Sequence, residues 1–284
     1  MNRSAITLLT ASVLAASSAQ SLVITSTTTD GDALKNNILG SGITAGAATY
    51  VGDANQSGFF TGGIASGIGI ESGIILTTGN AFDAPGPNTS DDTSVNTSSP
   101  GDADLTAIVG ASTNDSASLT FDFESTGGDL FFNFVFASEE YNEFVDSSFN
   151  DVFAFFVDGV NVAIAPDGQE VSINTVNCGQ TFSGVGPNCS SYNNNDLDDG
   201  GPNFNLAYDG FTDVFTASVL GLSVGFHTMK FAIADTSDSS WDSAVFIEGG
   251  TFSDTPPSAV PEPGSLALLG LGLIGLRMSR KKAA

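Results

Sequence analysis

The chain has 284 residues and a formal charge of −25, from 32 Asp and Glu against seven Lys and Arg. That length can bury a real core in one large or two modest domains. So acidic a surface repels phosphate backbones and anionic lipid, which excludes nucleic acid as a partner.

The charge is unevenly spread. Between about residues 20 and 259 there are 31 acids and two bases, Lys35 and Lys230, a formal −29. Salt bridges can neutralise only two of those carboxylates. Solvent separation or bound cations must offset the rest.

The N-terminus, MNRSAITLLTASVLAASSAQS, has one positive charge at Arg3, an apolar stretch from Ala5 to Ala16, and small residues at Ser17 and Ala19. This pattern reads as a secretory signal peptide over residues 1–19, cleaved after Ala19. SLVIT (21–25) is then a first strand. Asp30 is placed to N-cap a short helix over 31–39 that Gly40 ends. Glycine-punctuated segments up to Asn80 suit short strands and tight turns. Residues 83–104 have almost no apolar side chains and read as a long loop, with a brief helix over 105–110.

The second half is more regular. In ASLTFDFES, Leu119, Phe121 and Phe123 alternate with polar residues, marking a strand with one wet face. DLFFNFVFAS and DVFAFFVDG (151–159) are apolar in both phases, as expected of central strands buried on both faces. In HTMKFAIAD, His227, Met229, Phe231 and Ile233 share one side, and SAVFIEGGTF (243–252) supplies a further strand. There is no long amphipathic helix and no βαβ alternation. The expected fold is all-β, a β-sandwich of jelly-roll type with short peripheral helices, and phenylalanine fills the space between its sheets. No internal repeat and no linker before Asp254 argue for one domain over 20–253, then a linker over 254–259.

Cys178 and Cys189 are the only cysteines and enclose a turn-rich loop. In an exported protein they are expected to form a disulfide contributing roughly 2–3 kcal/mol. Nucleophilic catalysis lacks a base: the only histidine, His227, lies in the inward phase of a strand and reads as packing. Carboxylates remain. SEEYNEF places Glu139, Glu140 and Glu143 in a loop between two buried strands, with Asn150 and Asp151 opening the next strand. ADTSDSSWDS places Asp235, Asp238 and Asp242 between two more. If the two loops share an end of the sandwich, Glu139, Glu140, Asn150, Asp151, Asp235, Asp238 and Asp242 supply the hard oxygen ligands that calcium requires. The alternative is that these acids are solvated surface. NNNDLDDG (193–200) departs from the EF-hand pattern, with Asp199 at its glycine position and Asn205 at its twelfth, and reads as a polar loop beside the disulfide, at best a weak extra site.

Glycan binding is a further expectation, with Trp241, Tyr141 and Tyr192 available to stack on sugar rings. An exopolysaccharide is the expected partner. The enzymatic alternative is a carbohydrate-active hydrolase pairing Glu140 or Glu143 with an Asp of the other loop.

The chain ends with Val260, Pro261, Glu262 and Pro263, an apolar run from Leu266 to Leu276, and the basic residues Arg277, Arg280, Lys281 and Lys282. The run reads as an apolar helix short of the roughly 20 residues that cross a bilayer comfortably, and the following charge favours a cytoplasmic end. Motif, apolar helix and basic cluster over 260–284 resemble the PEP-CTERM sorting signal. The resemblance implies transient inner-membrane insertion, recognition by an exosortase and cleavage near the motif. FVFASEEYNEFVDSSFNDVFAFFVDG (134–159), YDGFT (208–212), FAIADTSDSSWDSAVFIEGGTF (231–252) and GIESGIILTTGN (69–80) together resemble the choice-of-anchor L domain. That family implies secretion and surface attachment, and no established reaction.

Overall fold

The computed structural model describes residues 21–257. Two antiparallel sheets pack face to face. The larger contains β1 (Val23–Thr27), β3 (Ser57–Thr61), β4 (Ser72–Thr77), β13 (Ser243–Glu248), β6 (Leu130–Ser138), β10 (Gly210–Thr212) and β9 (Tyr192–Asn194) in that order, with β11 (Phe215–Val219) also paired to β6. The smaller is ordered β2 (Ile43–Val51), β5 (Thr113–Ser125), β12 (His227–Thr236), β7 (Val152–Val157) and β8 (Val160–Asn161). The expected β-sandwich is present.

Its core is aromatic. Phe132, Phe134 and Phe136 from β6 face Leu119, Phe121 and Phe123 from β5, Phe153 and Phe155 from β7, and Phe231 from β12. The Phe132 and Phe155 rings lie 3.9 Å apart, and Phe231 meets Phe132 edge-on at 5.5 Å. The alternation read in β5 holds: Leu119, Phe121 and Phe123 are buried, while Asp122 is exposed.

α1 (Gly31–Ile38) forms where Asp30 predicts it, with the Asp30 carboxylate accepting from the Ala33 N–H at 3.1 Å. Its Leu34 and Ile38 enter the inter-sheet core. α3 (Ala103–Val109) is capped by Asp102, which accepts from the Asp104 and Leu105 N–H groups, and ends at Gly110 in the left-handed region. One turn of helix, α2 (Gly63–Ser66), was not read from the glycine-rich sequence.

β6 is central, as its apolar run predicts. β7 is different: its only outer neighbour is the two-residue β8, so it lies next to the sheet edge. Its second face is buried by α3, where Leu105 and Ile108 cover Val152, Ala154 and Phe156. A helix above a strand produces the same two-faced apolar pattern as a central position.

Candidate metal centre

The two acidic loops do share one end of the sandwich. Ser138 at the end of β6 pairs with Ser243 at the start of β13, and Val152 at the start of β7 pairs with Ala234 near the end of β12. The chain therefore crosses between sheets twice here, over 139–151 and 237–242. The Glu139 N–H donates to the Asp242 carbonyl at 3.1 Å. Asp151 joins the sheets with one carboxylate: Oδ1 accepts from the Thr236 N–H at 2.9 Å and Oδ2 from the Ser243 hydroxyl at 2.7 Å.

These acids are not solvated surface. Glu139 and Glu140 are 1 % exposed, Asp151 and Asp235 0 %, and Asp242 3 %. Both carboxyl oxygens of Glu139 and of Asp235, and one each on Glu140, Asp238 and Asp242, are buried without a hydrogen-bond partner. Burial is the largest cause raising every one of their pKa values, and neighbouring carboxylates add to it. Asp151 and Asp238 push Glu140 up, Asp209 and Asp242 push Glu139 up, and Asp151 pushes Asp235 up. Asp242 is raised to about 8 even though it accepts from the Val95 N–H at 3.0 Å. No side-chain cation relieves them among the described residues. Lys35 is paired with Asp32, and Lys230 with Asp102 and Asp104. An uncompensated buried charge costs several kcal/mol, so protons or a metal ion must occupy this end of the fold.

Glu140, Asp151, Asp235 and Asp238 are neighbours by these charge effects, whereas among the described residues the three acids whose oxygens come within 4.8 Å of one another are Glu143, Asp196 and Asp209. Asn150 stands aside: its side-chain oxygen accepts from the Asn174 N–H at 2.8 Å. Three other acids reach the same end, of which only Asp196, in the loop read as at best a weak extra site, had any place in the sequence expectation. They are Asp91 from the long loop, Asp196 from the 193–200 loop, and Asp209 just before β10. The available signal was DG in YDGFT and the Asx-rich run around Asp196. Only strand pairing shows that they meet.

The aromatic expectations divide. Tyr141 is fully buried, its hydroxyl donating to the Val176 carbonyl at 2.7 Å, and Tyr192 is buried against it with ring centroids 4.8 Å apart. Neither can stack on a sugar. Trp241 remains half-buried at the rim, edge-on to Phe144 at 4.6 Å. His227 packs as read, with Nδ1 2.6 Å from the Asp158 carboxylate. Cys178 and Cys189 are bonded as expected. Ala19 and the Val260, Pro261, Glu262, Pro263 motif lie outside the described residues, as does the expected apolar helix at Leu266–Leu276. Among the described residues no helix is long and apolar enough to cross a membrane.

Fold and site together define an all-β sandwich that gathers buried carboxylates at its strand ends, on a chain carrying few bases. Family comparison is more specific. Residues 13–253 match the choice-of-anchor L domain, and the chain belongs to that family. Residues 259–282 match the PEP-CTERM protein-sorting motif. No curated protein and no solved structure matches the chain. The domain and the motif together mark an exported surface protein sorted by an exosortase.

Proposed function

We propose that the body is a non-enzymatic structural or adhesive module of the cell surface, a jelly-roll-type sandwich stabilised by calcium and associated with exopolysaccharide. The observation that carries the calcium reading is Asp235, fully buried with both oxygens unpartnered beside Asp151. Glu140, Asp151, Asp235 and Asp238 offer only carboxylate oxygens, the donor set of a hard cation with flexible coordination. A bound ion removes the repulsion that otherwise opposes joining the two sheets here.

The hydrolase alternative requires two carboxyls open to a sugar. Glu140 is 1 % exposed and Asp235 and Asp242 are buried, so of the pairs that alternative invokes only Glu143 with the half-buried Asp238 remains. Trp241 beside Asp242 is the aromatic surface left for a glycan at this rim, and polysaccharide association rests on it. The test is retention of the exported protein on extracellular polysaccharide from its host, with millimolar calcium and then with chelator. Saturable retention that chelator abolishes, without release of reducing ends, is the expected result. Release of sugar would establish the hydrolase, and no retention with calcium would remove the glycan partner.

A further inference from the structure

We infer that the same end of the sandwich holds a second, separate calcium site built from Glu139, Glu143, Asp91, Asp196 and Asp209. One carboxyl oxygen each from Glu143, Asp196 and Asp209 lie within 4.8 Å of one another. Oxygens on opposite sides of a calcium ion, each 2.3–2.6 Å from it, are separated by about 5 Å. The three are therefore spaced as ligands of one ion, whereas unpaired carboxylates would move apart.

Independent of that spacing, buried oxygens are directed into the group with nothing to bind. Glu139 is 1 % exposed and both its oxygens lack partners. Asp209 is fully buried, and its Oδ2 is unpartnered while its Oδ1 accepts from the Asn88 side chain. Asp91 contributes another buried unpartnered oxygen. The charge of Asp209 raises Glu139, and that of Asp196 raises Asp91, as expected of acids gathered around one point.

The surrounding backbone fixes the ligands before an ion arrives. Asp196 Oδ1 accepts from the N–H groups of Asp198 and Asp199, both at 2.8 Å, which turns Oδ2 toward the Asn142 N–H and Glu143. The Asn195 N–H donates to the Asp209 carbonyl at 2.7 Å, and the Asn88 amide reaches both the Asn195 carbonyl and the Asp209 carboxylate. Polar side chains thus hold three sequence-remote segments around one point. Five carboxylates exceed the two charges of one calcium ion. Glu143 is exposed, so the site opens to solvent on its side, and the excess charge there is screened by water and salt. The open side is also the route of entry.

This site shares no ligand with the group of Glu140, Asp151, Asp235 and Asp238, and stands whether or not that group binds an ion. The test is calcium stoichiometry of the exported protein by equilibrium dialysis, with terbium luminescence as a second readout. Wild type is expected to bind two ions per chain, Glu143→Gln/Asp196→Asn one, and Asp235→Asn/Asp238→Asn one. If the Glu143→Gln/Asp196→Asn protein keeps the full wild-type stoichiometry and affinity, the second site is wrong. One ion in wild type, lost only in Asp235→Asn/Asp238→Asn, would likewise leave the first site and remove this one. One ion lost only in Glu143→Gln/Asp196→Asn would do the reverse. If the double variant does not fold, the exposed single change Glu143→Gln decides the matter: at least a tenfold loss of affinity for one ion is expected, and none overturns the proposal.

Discussion

Stripping divalent cations from the folded body should reverse the usual pH dependence of a protein rich in acids. Ordinary carboxylates hold a lowered pKa in the native state, and stability is lost as pH falls. At this strand end burial raises them instead: Asp242 from 3.8 to about 8, and Glu139 and Glu140 in the same direction. The cation-free native state then binds more protons than the unfolded chain. Its stability is fullest below the unfolded value and declines as pH rises toward the folded one. For Asp242 alone, about four units at 1.36 kcal/mol each amount to about 5 kcal/mol, comparable to a whole domain's stability. About 4 kcal/mol of this is lost between pH 4.5 and 7.5, and at about 2–4 °C per kcal/mol for a domain of this size the melt should fall by about 8–16 °C across that range. The assay is scanning calorimetry of exhaustively dialysed protein across that range, with Asp242→Asn as the control whose slope should flatten. Millimolar calcium should restore the melt at pH 7.5, because an ion binds the deprotonated form. A cation-free melt that climbs with pH would refute the reasoning, since the buried acids would then be stabilised by contacts the structure does not contain.

Gly79→Ala should destabilise the fold by about 1–3 kcal/mol, because a Cβ at that position overlaps the Asp242 carboxylate; chemical denaturation with calcium present measures it. Replacing Cys178 and Cys189 by Ser should cost roughly 2–3 kcal/mol, read as a lower melting temperature with the calcium stoichiometry unchanged. His227 is raised by its hydrogen bond to Asp158, whose own pKa is lowered in turn. The pair's stabilisation should be present near pH 5.5 and fade as pH rises through the raised histidine value. The single histidine makes an unambiguous NMR titration, whose midpoint should lie above 6.5 and fall in Asp158→Asn. Intact mass of the surface-sorted protein should end near Pro263, and Pro261→Ala/Pro263→Ala should accumulate uncleaved in the membrane fraction.

What the sequence made legible was what depends on near neighbours. Asp30 announced its helix, since a cap needs only the next three residues, whereas the Asp102 cap was missed and its helix expected two residues late. Leu119, Phe121 and Phe123 announced a strand with one wet face. β7 was misplaced within its sheet because an apolar run records that both faces are covered, not what covers them. Half of the acidic end could be read because Glu139, Glu140, Asp151, Asp235, Asp238 and Asp242 flank obvious strands. Asp196 and Asp209 could not, because they meet through the pairing of two three-residue strands, β9 with β10, too short to leave a periodic signal. Tyr141 and Tyr192 look like surface aromatics in their polar loops. Their burial is explained by the hydrogen bonds their hydroxyls donate, Tyr141 to the Val176 carbonyl and Tyr192 to the Asn142 side-chain oxygen.

β6 gives the molecule two unlike poles. Near its start, Phe131 bridges Ser253, where the chain turns away toward its C-terminal tail. Its end, Ser138, opens directly into the carboxylates. Seven residue steps at about 3.4 Å separate them, about 24 Å. The last residues of the domain, around Ser253, therefore lie at one pole and the buried acids at the other. The strand that sets them apart is buried along its whole length, so a substitution at either pole leaves the surroundings of the other unchanged.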